Sequence, residues 1–322
     1  MLDVVALGEL LIDFTCISAD ADGYPTMAAH PGGAPANYLA AVTKFGGKTA
    51  MLGKVGTDAF GKLLTGTLEK AGIDTRGLIA TPDVFTTLAF VTLDETGNRE
   101  FSFARKPGAD TCIGTDEVRY DLLDETKVLH FGTLSLTDGP ARSATYAAVE
   151  YCREHGKLIS FDPNLRKPLW RDLEEAKKQM LWGLAHADVV KISDEEVDFL
   201  WGLSPQESAQ KLLTEYGASL VYVTLGPKGC YFANRNCTGE IASPAEIHVV
   251  DTTGAGDIFG GSAMSRFLKL NKAPADLTKK ELTAITTFAC CAASLSTQKH
   301  GGITSVVPEA EVRERIARMV QA

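Results

Sequence analysis

Residues 251–261 read DTTGAGDIFGG and set glycines and a free carboxylate directly ahead of an apolar run with a helical look. Gly254 and Gly256 let the backbone turn tightly and approach a ligand closely. The first N–H groups of a helix starting near Asp257 lack intrahelical partners, so with Ala255 this turn is a candidate nest for an anion such as a phosphoryl group. Asp257 beside it can take a proton from an attacking hydroxyl. Taken alone, the motif reads more simply as a first-turn acid that stabilises a helix behind a plain glycine loop. Company elsewhere in the chain tips the balance toward chemistry.

That company begins at residues 31–46, PGGAPANYLAAVTKFG, where Gly32 and Gly33 precede Asn37 at the start of a small-residue helix. Two glycines admit a compact polyol against the backbone, and Asn37 offers both a donor and an acceptor to sugar hydroxyls. A turn followed by a helix cap explains the same residues equally well. Asp13, just after the first apolar strand in GELLIDF, adds an acceptor-only carboxylate suited to two hydroxyls. Two familiar phosphate motifs fail. GTDAFGKL at 56–63 has P-loop spacing but ends in Leu63, where a magnesium-binding hydroxyl is needed, and ALGELLID has one glycine where a dinucleotide loop needs three.

These residues need a frame. Short apolar runs recur at 4–10, 128–134, 158–164, 188–193 and 220–226, each reading as a buried strand. Between them lie helical periods such as 141–156, closing at Gly156, and 205–217, opening after Ser204 and closing at Gly217. Strands alternating with helices predict an α/β fold with a doubly wound, mainly parallel sheet flanked by helices. The alternation breaks at 86–110, where period-2 patterning flanks the turn signal DETGN, a β-hairpin. With the extended, turn-rich stretch near 14–31 it predicts a small β-sheet lid, from segments about 14–31 and 84–110, inserted in one domain over 1–322.

Composition narrows the partners. Lysine and arginine number 32 against 41 acidic residues, and no basic stripe stands out, so nucleic acid is not an expected partner. Seven scattered cysteines without a CxxC pair signal neither a disulfide framework nor a zinc cage. The start MLDVVALGELLIDF lacks a basic region and a cleavage site, and no apolar run approaches membrane-spanning length. The expectation is a cytoplasmic protein without a membrane partner.

GGAPANYLAAVTKFGGKTAMLGKVGTDAFG and DTTGAGDIFGG resemble the two signatures of the ribokinase-like (PfkB) carbohydrate kinases, and GELLIDF, FARKPGAD, FDPNLRKPLW and VTLGPKGC resemble the fructokinase branch. The resemblance spans nearly the whole chain. It implies transfer of the γ-phosphoryl group of MgATP to a hydroxyl of D-fructose, with 2-keto-3-deoxygluconate, ribose or a nucleoside as rival acceptors and a catalytically silent sugar-binding regulator as the remote alternative. Asp257 then corresponds to the catalytic base, with the amides of Gly254, Ala255 and Gly256 holding phosphate charge. Asp13, Gly32, Gly33 and Asn37 match sugar-binding positions, and Arg105 on the lid hairpin matches an arginine that reaches toward the substrate; its competing reading is a surface polar group. Arg166, after a strand's carboxyl end, either contacts substrate or phosphate or forms a structural salt bridge.

On the nucleotide side, Thr224, Gly226 and Gly229 match a nucleotide-binding turn with Lys228 near the phosphates, though an ordinary hairpin turn looks similar. The family's Asn-x-x-Glu magnesium signature is altered: Ser193 stands at the asparagine position and Glu196 at the glutamate position, so Glu196 is the residue left to hold the magnesium water network. Asp251 and Thr253 are implied carbonyl ligands of a monovalent cation, K+. FACCAASLSTQKHGG resembles the adenine-side helix and loop, and Cys290 and Cys291 read as helix-packing residues. A partly apolar lid face implies a homodimer paired through its lids.

Overall fold

The first strand, β1 (Leu2–Leu7), sends alternate side chains from Val4 onward into two separate cores, Val4 and Ala6 into one, Val5 and Leu7 into the other, which Leu2 also joins. A strand buried on both faces needs a helical layer on each. The computed structural model describes residues 1–93, 99–137 and 139–321. It continues through β2 (Leu11–Ala19), β3 (Pro25–Gly32), α1 (Ala34–Lys44), β4 (Thr49–Gly56), α2 (Ala59–Ala71), β5 (Asp74–Thr81), β6 (Leu88–Leu93) and β7 (Arg99–Ala104). Next come α3 (Tyr120–Glu125), β8 (Thr126–Gly132), α4 (Gly139–Glu154), β9 (Leu158–Asp162), α5 (Leu173–His186), β10 (Val189–Ser193), α6 (Asp194–Trp201) and α7 (Pro205–Thr214). The chain then runs through β11 (Leu220–Thr224), β12 (Cys230–Asn234), β13 (Thr238–Ile241), α8 (Ala255–Leu268), α9 (Lys279–Ser296) and α10 (Glu309–Gln321).

Nine strands form the main sheet in the order β13-β12-β11-β10-β9-β8-β1-β4-β5, parallel throughout except where β12 pairs with its two neighbours. Helices α1, α2, α8, α9 and α10 bury apolar residues in one core, and α3 to α7 in the other. The doubly wound layering expected from the strand–helix alternation is therefore present. From β1 the chain first extends the sheet toward β5, then returns to β8 on the opposite side. Such a reversal opens a crevice beyond the strands' carboxyl ends.

A separate four-stranded sheet, ordered β3-β2-β6-β7, is made by the two segments that break the alternation. The stretch near 14–31, expected to join the hairpin in a small β-sheet, is an antiparallel pair of β2 and β3, and β6 pairs antiparallel with β7. The predicted turn DETGN, 94–98, lies outside the described residues. Phe14 of β2 stacks on Phe90 and meets Phe60 of α2 edge to face, which ties this sheet to the body.

Local signals mark the end of α4 and the start of α7, whereas α7 stops at Thr214 instead of running to Gly217. Gly156 follows α4 in a left-handed conformation, and a Ser204–Glu207 capping box opens α7. Gly254, at φ 76°, caps α8, so that helix starts at Ala255 rather than at Asp257. Within α8, a Cβ on Gly261 would stand 2.2 Å from the Tyr38 carbonyl oxygen, so only glycine lets α1 and α8 pack this closely. Among the described residues, no helix is long and apolar enough to cross a membrane.

Candidate active site

The close α1–α8 contact brings Asn37 to Asp257. Asn37 Nδ2 donates to Asp257 Oδ2 at 2.9 Å, and both residues are buried. The other carboxylate oxygen accepts no protein hydrogen bond among the described residues, so one oxygen is held and one is available. Burial raises the Asp257 pKa above its ordinary value, against the opposing pull of the Asn37 hydrogen bond and the charges of Lys191 and Arg166. In the turn ahead of it, Ala255 N–H bends back to the Thr252 carbonyl at 3.3 Å. The N–H groups of Gly254 and Gly256 donate to no protein acceptor among the described residues, so two of the three expected amides are available to an anion.

Asp13 reaches the same space from the second sheet. Burial pushes its carboxyl up to about 7, opposed by Arg166 and reinforced by the charges of Asp251 and Asp257. Gly32 leaves room for it, since a Cβ there would lie 2.2 Å from Asp13 Oδ2. Gly33, at φ 117°, presses against the Glu9 carbonyl, where a Cβ would come within 2.4 Å. Asp13, Gly32, Gly33, Asn37, Arg166 and Asp257 thus converge, with the Arg166 charge acting on both carboxylates.

A cleft of about 670 Å³ opens on the other side of the α8 N-terminus. Ala255, Gly256 and Phe259 line one wall and Thr224, Gly226 and Gly229 another, so the nucleotide-side turn does face the glycine turn. Lys228 is not brought in: it is exposed on the Gly226–Lys228 turn, outside the walls of the cleft. Glu196 is buried at the start of α6, where Oε1 accepts the Leu165 N–H at 2.8 Å and Oε2 the Ser193 N–H at 2.9 Å. Ser193 in turn caps α6 through its hydroxyl, a local role that explains a serine at this position. Asp251 accepts both the N–H and the hydroxyl of Thr253 and, from the loop after α9, the Gly301 N–H. Among the described residues, no cluster of three or more His, Cys, Asp or Glu is arranged to hold a metal ion.

Arg105 needs correcting. It is not a surface group: its guanidinium is buried and engaged by Asp110, Thr137 and the Leu134 carbonyl, while the residue also lines a cleft of about 910 Å³. Sequence reasoning also passed over several groups. Glu9 is buried and anchors the start of α1 by accepting the Ala34 N–H at 2.9 Å. Lys191 pairs with Asp162 at 2.9 Å beneath the glycine turn, and a Cβ on Gly256 would lie 2.9 Å from its Nζ. Burial works against the Lys191 charge, but Asp162, Glu196 and Asp257 together raise its pKa. Each carried a faint signal, an ionisable residue within or just after an apolar strand run, GEL for Glu9, ISFD for Asp162 and VVKIS for Lys191. Gly302 abuts Asn37, where a Cβ would fall 2.1 Å from Oδ1.

The sequence matches the pfkB family carbohydrate kinase pattern over residues 1–310. Fructokinase-1 of Zea mays is 40% identical over 318 residues, 98% of this chain and 98% of the maize protein. Fructokinase-2 of Solanum lycopersicum is 40% identical over 312 residues, 96% of this chain and 94% of the tomato protein. Among solved structures, a fructokinase with bound ATP from Xylella fastidiosa superposes with a TM-score of 0.90 at 29% identity, covering 99% of this chain and 100% of that one. A double mutant of the fructokinase from Vibrio cholerae O395, in fructose, ADP and potassium ion bound form, gives 0.85 at 31% identity, with 97% and 98% covered. A two-signature sequence match and a superposable ribokinase-like architecture agree: the chain belongs to the pfkB family of carbohydrate kinases, phosphotransferases that act on a sugar.

Proposed function

We infer that this protein is a fructokinase in which the whole chain works as one kinase unit and the four-stranded sheet is its lid. The observation that carries the reading is the Asn37–Asp257 contact, which fixes one carboxylate oxygen while the other accepts no protein hydrogen bond among the described residues. Asp257 takes the proton from a fructose hydroxyl as that oxygen bonds to the γ-phosphorus of ATP and the bond to the ADP oxygen breaks. Gly254 and Gly256 N–H groups stabilise the charge on the transferring phosphoryl group, and the buried Lys191 adds positive charge beneath them.

Asp13 and Asn37 bind sugar hydroxyls, Gly32 and Gly33 give the sugar room, and Arg166 balances the two carboxylates. Thr224, Gly226 and Gly229 line the nucleotide cleft. Magnesium arriving with the nucleotide neutralises phosphate charge. Each Glu196 oxygen keeps a second lone pair beside its backbone N–H, which fits an acceptor for metal-bound water. The backbone carbonyls of Asp251 and Thr253 are the candidate ligands for K+. Exposed Ile17 and Tyr24 on the lid supply apolar surface for pairing two lids in a homodimer of a cytoplasmic enzyme.

The deciding experiment measures ADP release from MgATP with fructose, ribose, 2-keto-3-deoxygluconate, adenosine and no acceptor, with and without K+. High kcat/KM for fructose alone supports the reading. Turnover with the keto-deoxy acid instead keeps the mechanism and replaces the acceptor, and absence of turnover with every acceptor favours a silent sugar-binding regulator.

A further inference from the structure

Arg105 sits at the root of the lid hairpin. It directly follows β7, and Thr87 directly precedes β6. Asp110, in the short turn Ala109–Cys112, reaches both. Its Oδ1 accepts from the Thr87 hydroxyl, and its Oδ2 accepts from Arg105 Nε at 2.8 Å, with Nη2 in ion-pair contact at 2.6 Å. The remaining guanidinium contacts run to the body, Nη1 to Thr137 Oγ1 at 2.8 Å and Nη2 to the Leu134 carbonyl at 2.7 Å. The Arg105 and Asp110 side chains are 3% and 1% exposed.

Nε, Nη1 and Nη2 each donate once to a protein acceptor, and Asp110 covers the Nε–Nη2 edge, which closes that edge to bidentate grip of a ligand. The backbone is pressed onto the pair as well, since a Cβ on Gly108 would stand 1.8 Å from Thr87 Oγ1 and 3.1 Å from Arg105 Cγ. Glu9 joins the same charge group. Burial pushes its carboxyl up to about 7, the Ala34 N–H and Arg105 work against that rise, and Asp110 adds to it. Through Ala34 this network touches the helix that carries Asn37.

We propose that Arg105 and Asp110 are a positioning pair, a buried clamp that fastens both ends of the lid hairpin to the body and so holds the lid over the sugar without touching it. The inference rests on the sugar-kinase reading above for its catalytic consequence. A loosened lid raises the fructose KM and admits water, which attacks the γ-phosphorus in place of the sugar and releases ADP and inorganic phosphate. The nucleotide cleft lies outside the clamp, so the ATP KM stays near its wild-type value.

The test compares Arg105→Lys, Asp110→Asn and the double variant in fructose KM, kcat and the ratio of ADP to fructose phosphate formed. Each single change is expected to raise the fructose KM about tenfold and lift the product ratio above one, and the double to be within about twofold of the worse single, because both remove one clamp. Multiplying effects overturn the proposal. So does an Asp110→Asn variant that behaves as wild type while Arg105→Lys loses sugar affinity, since Arg105 would then bind the sugar itself. Should either variant fail to fold, Thr137→Val removes the Nη1 anchor together with the hydroxyl's own bond to the Leu134 carbonyl and is expected to shift the same readouts by about threefold, wild-type values overturning the clamp. Hydrogen exchange across β6 and β7 rises in these variants whatever acceptor the protein uses, and unchanged exchange also overturns it. Wild-type turnover in the acceptor panel decides the kinase reading independently of these variants.

Discussion

Asp257→Asn removes the base and one negative charge while leaving the shape of the side chain intact. The new amide oxygen can accept from Asn37 Nδ2 across the same 2.9 Å, so the geometry of the sugar pocket survives. Burial already disfavours the ionised carboxyl, so the variant is not expected to melt at lower temperature. What disappears is proton abstraction, which for positioned general bases is worth ~10²–10⁴-fold. The lower bound corresponds to about 2.7 kcal/mol of lost transition-state stabilisation. Steady-state ADP release should therefore show kcat down by at least ~10²-fold, with fructose KM changed by no more than about threefold. The sign of the pH dependence follows from the raised pKa. Activity requires the ionised Asp257, so in the wild type kcat falls as pH drops through a limb above the ordinary carboxylate range, and the variant loses that component. A kcat within tenfold of wild type, or a KM that rises as much as kcat falls, would refute the assignment.

Asp13→Asn tests the sugar side and the linkage together. With a folded pKa of about 7 against an ordinary 3.8, the stability this group contributes is present below pH 3.8 and is lost as pH rises through about 7. The variant should gain thermal stability over wild type progressively from about pH 4 to pH 8, while its fructose KM increases at neutral pH. A stability difference that stays flat across those pH values, or an unchanged KM, sinks the prediction. Gly302→Ala places a methyl group 2.1 Å from Asn37 Oδ1, so Asn37 must leave Asp257. A kcat loss of about tenfold or more is expected with ATP KM little altered, and wild-type kinetics would mean that the Asn37 contact does not position the base.

Local signals made much of this molecule legible in its sequence. The strand runs at 128–134, 158–164, 188–193 and 220–226 became β8 to β11 because a twofold alternation with apolar groups on both faces suits only a strand buried between layers. The glycine turn ahead of α8 was legible because the left-handed conformation at Gly254 is a property of one residue, although the helix begins at Ala255 and not near Asp257. Lys191 was not legible as part of the site. A lysine in an apolar strand acquires meaning only from Asp162, 29 residues earlier, and from the glycine turn above it. The burial of Arg105 was not legible either, since beyond Asp110 its partners Leu134 and Thr137 sit on one turn of the body about 30 residues on.

The sequence by itself determined the strand runs of β1 and β8 to β11, the cap that opens α7 and the glycine–aspartate turn, because periodicity and backbone permissiveness act over a few residues. Only the tertiary structure decided that Asn37 and Asp257, 220 residues apart, share a hydrogen bond and that Arg105 is spent on Asp110. Buried polar groups take whichever partner close packing delivers, and that choice rests on how α1 meets α8 and how the second sheet meets the body.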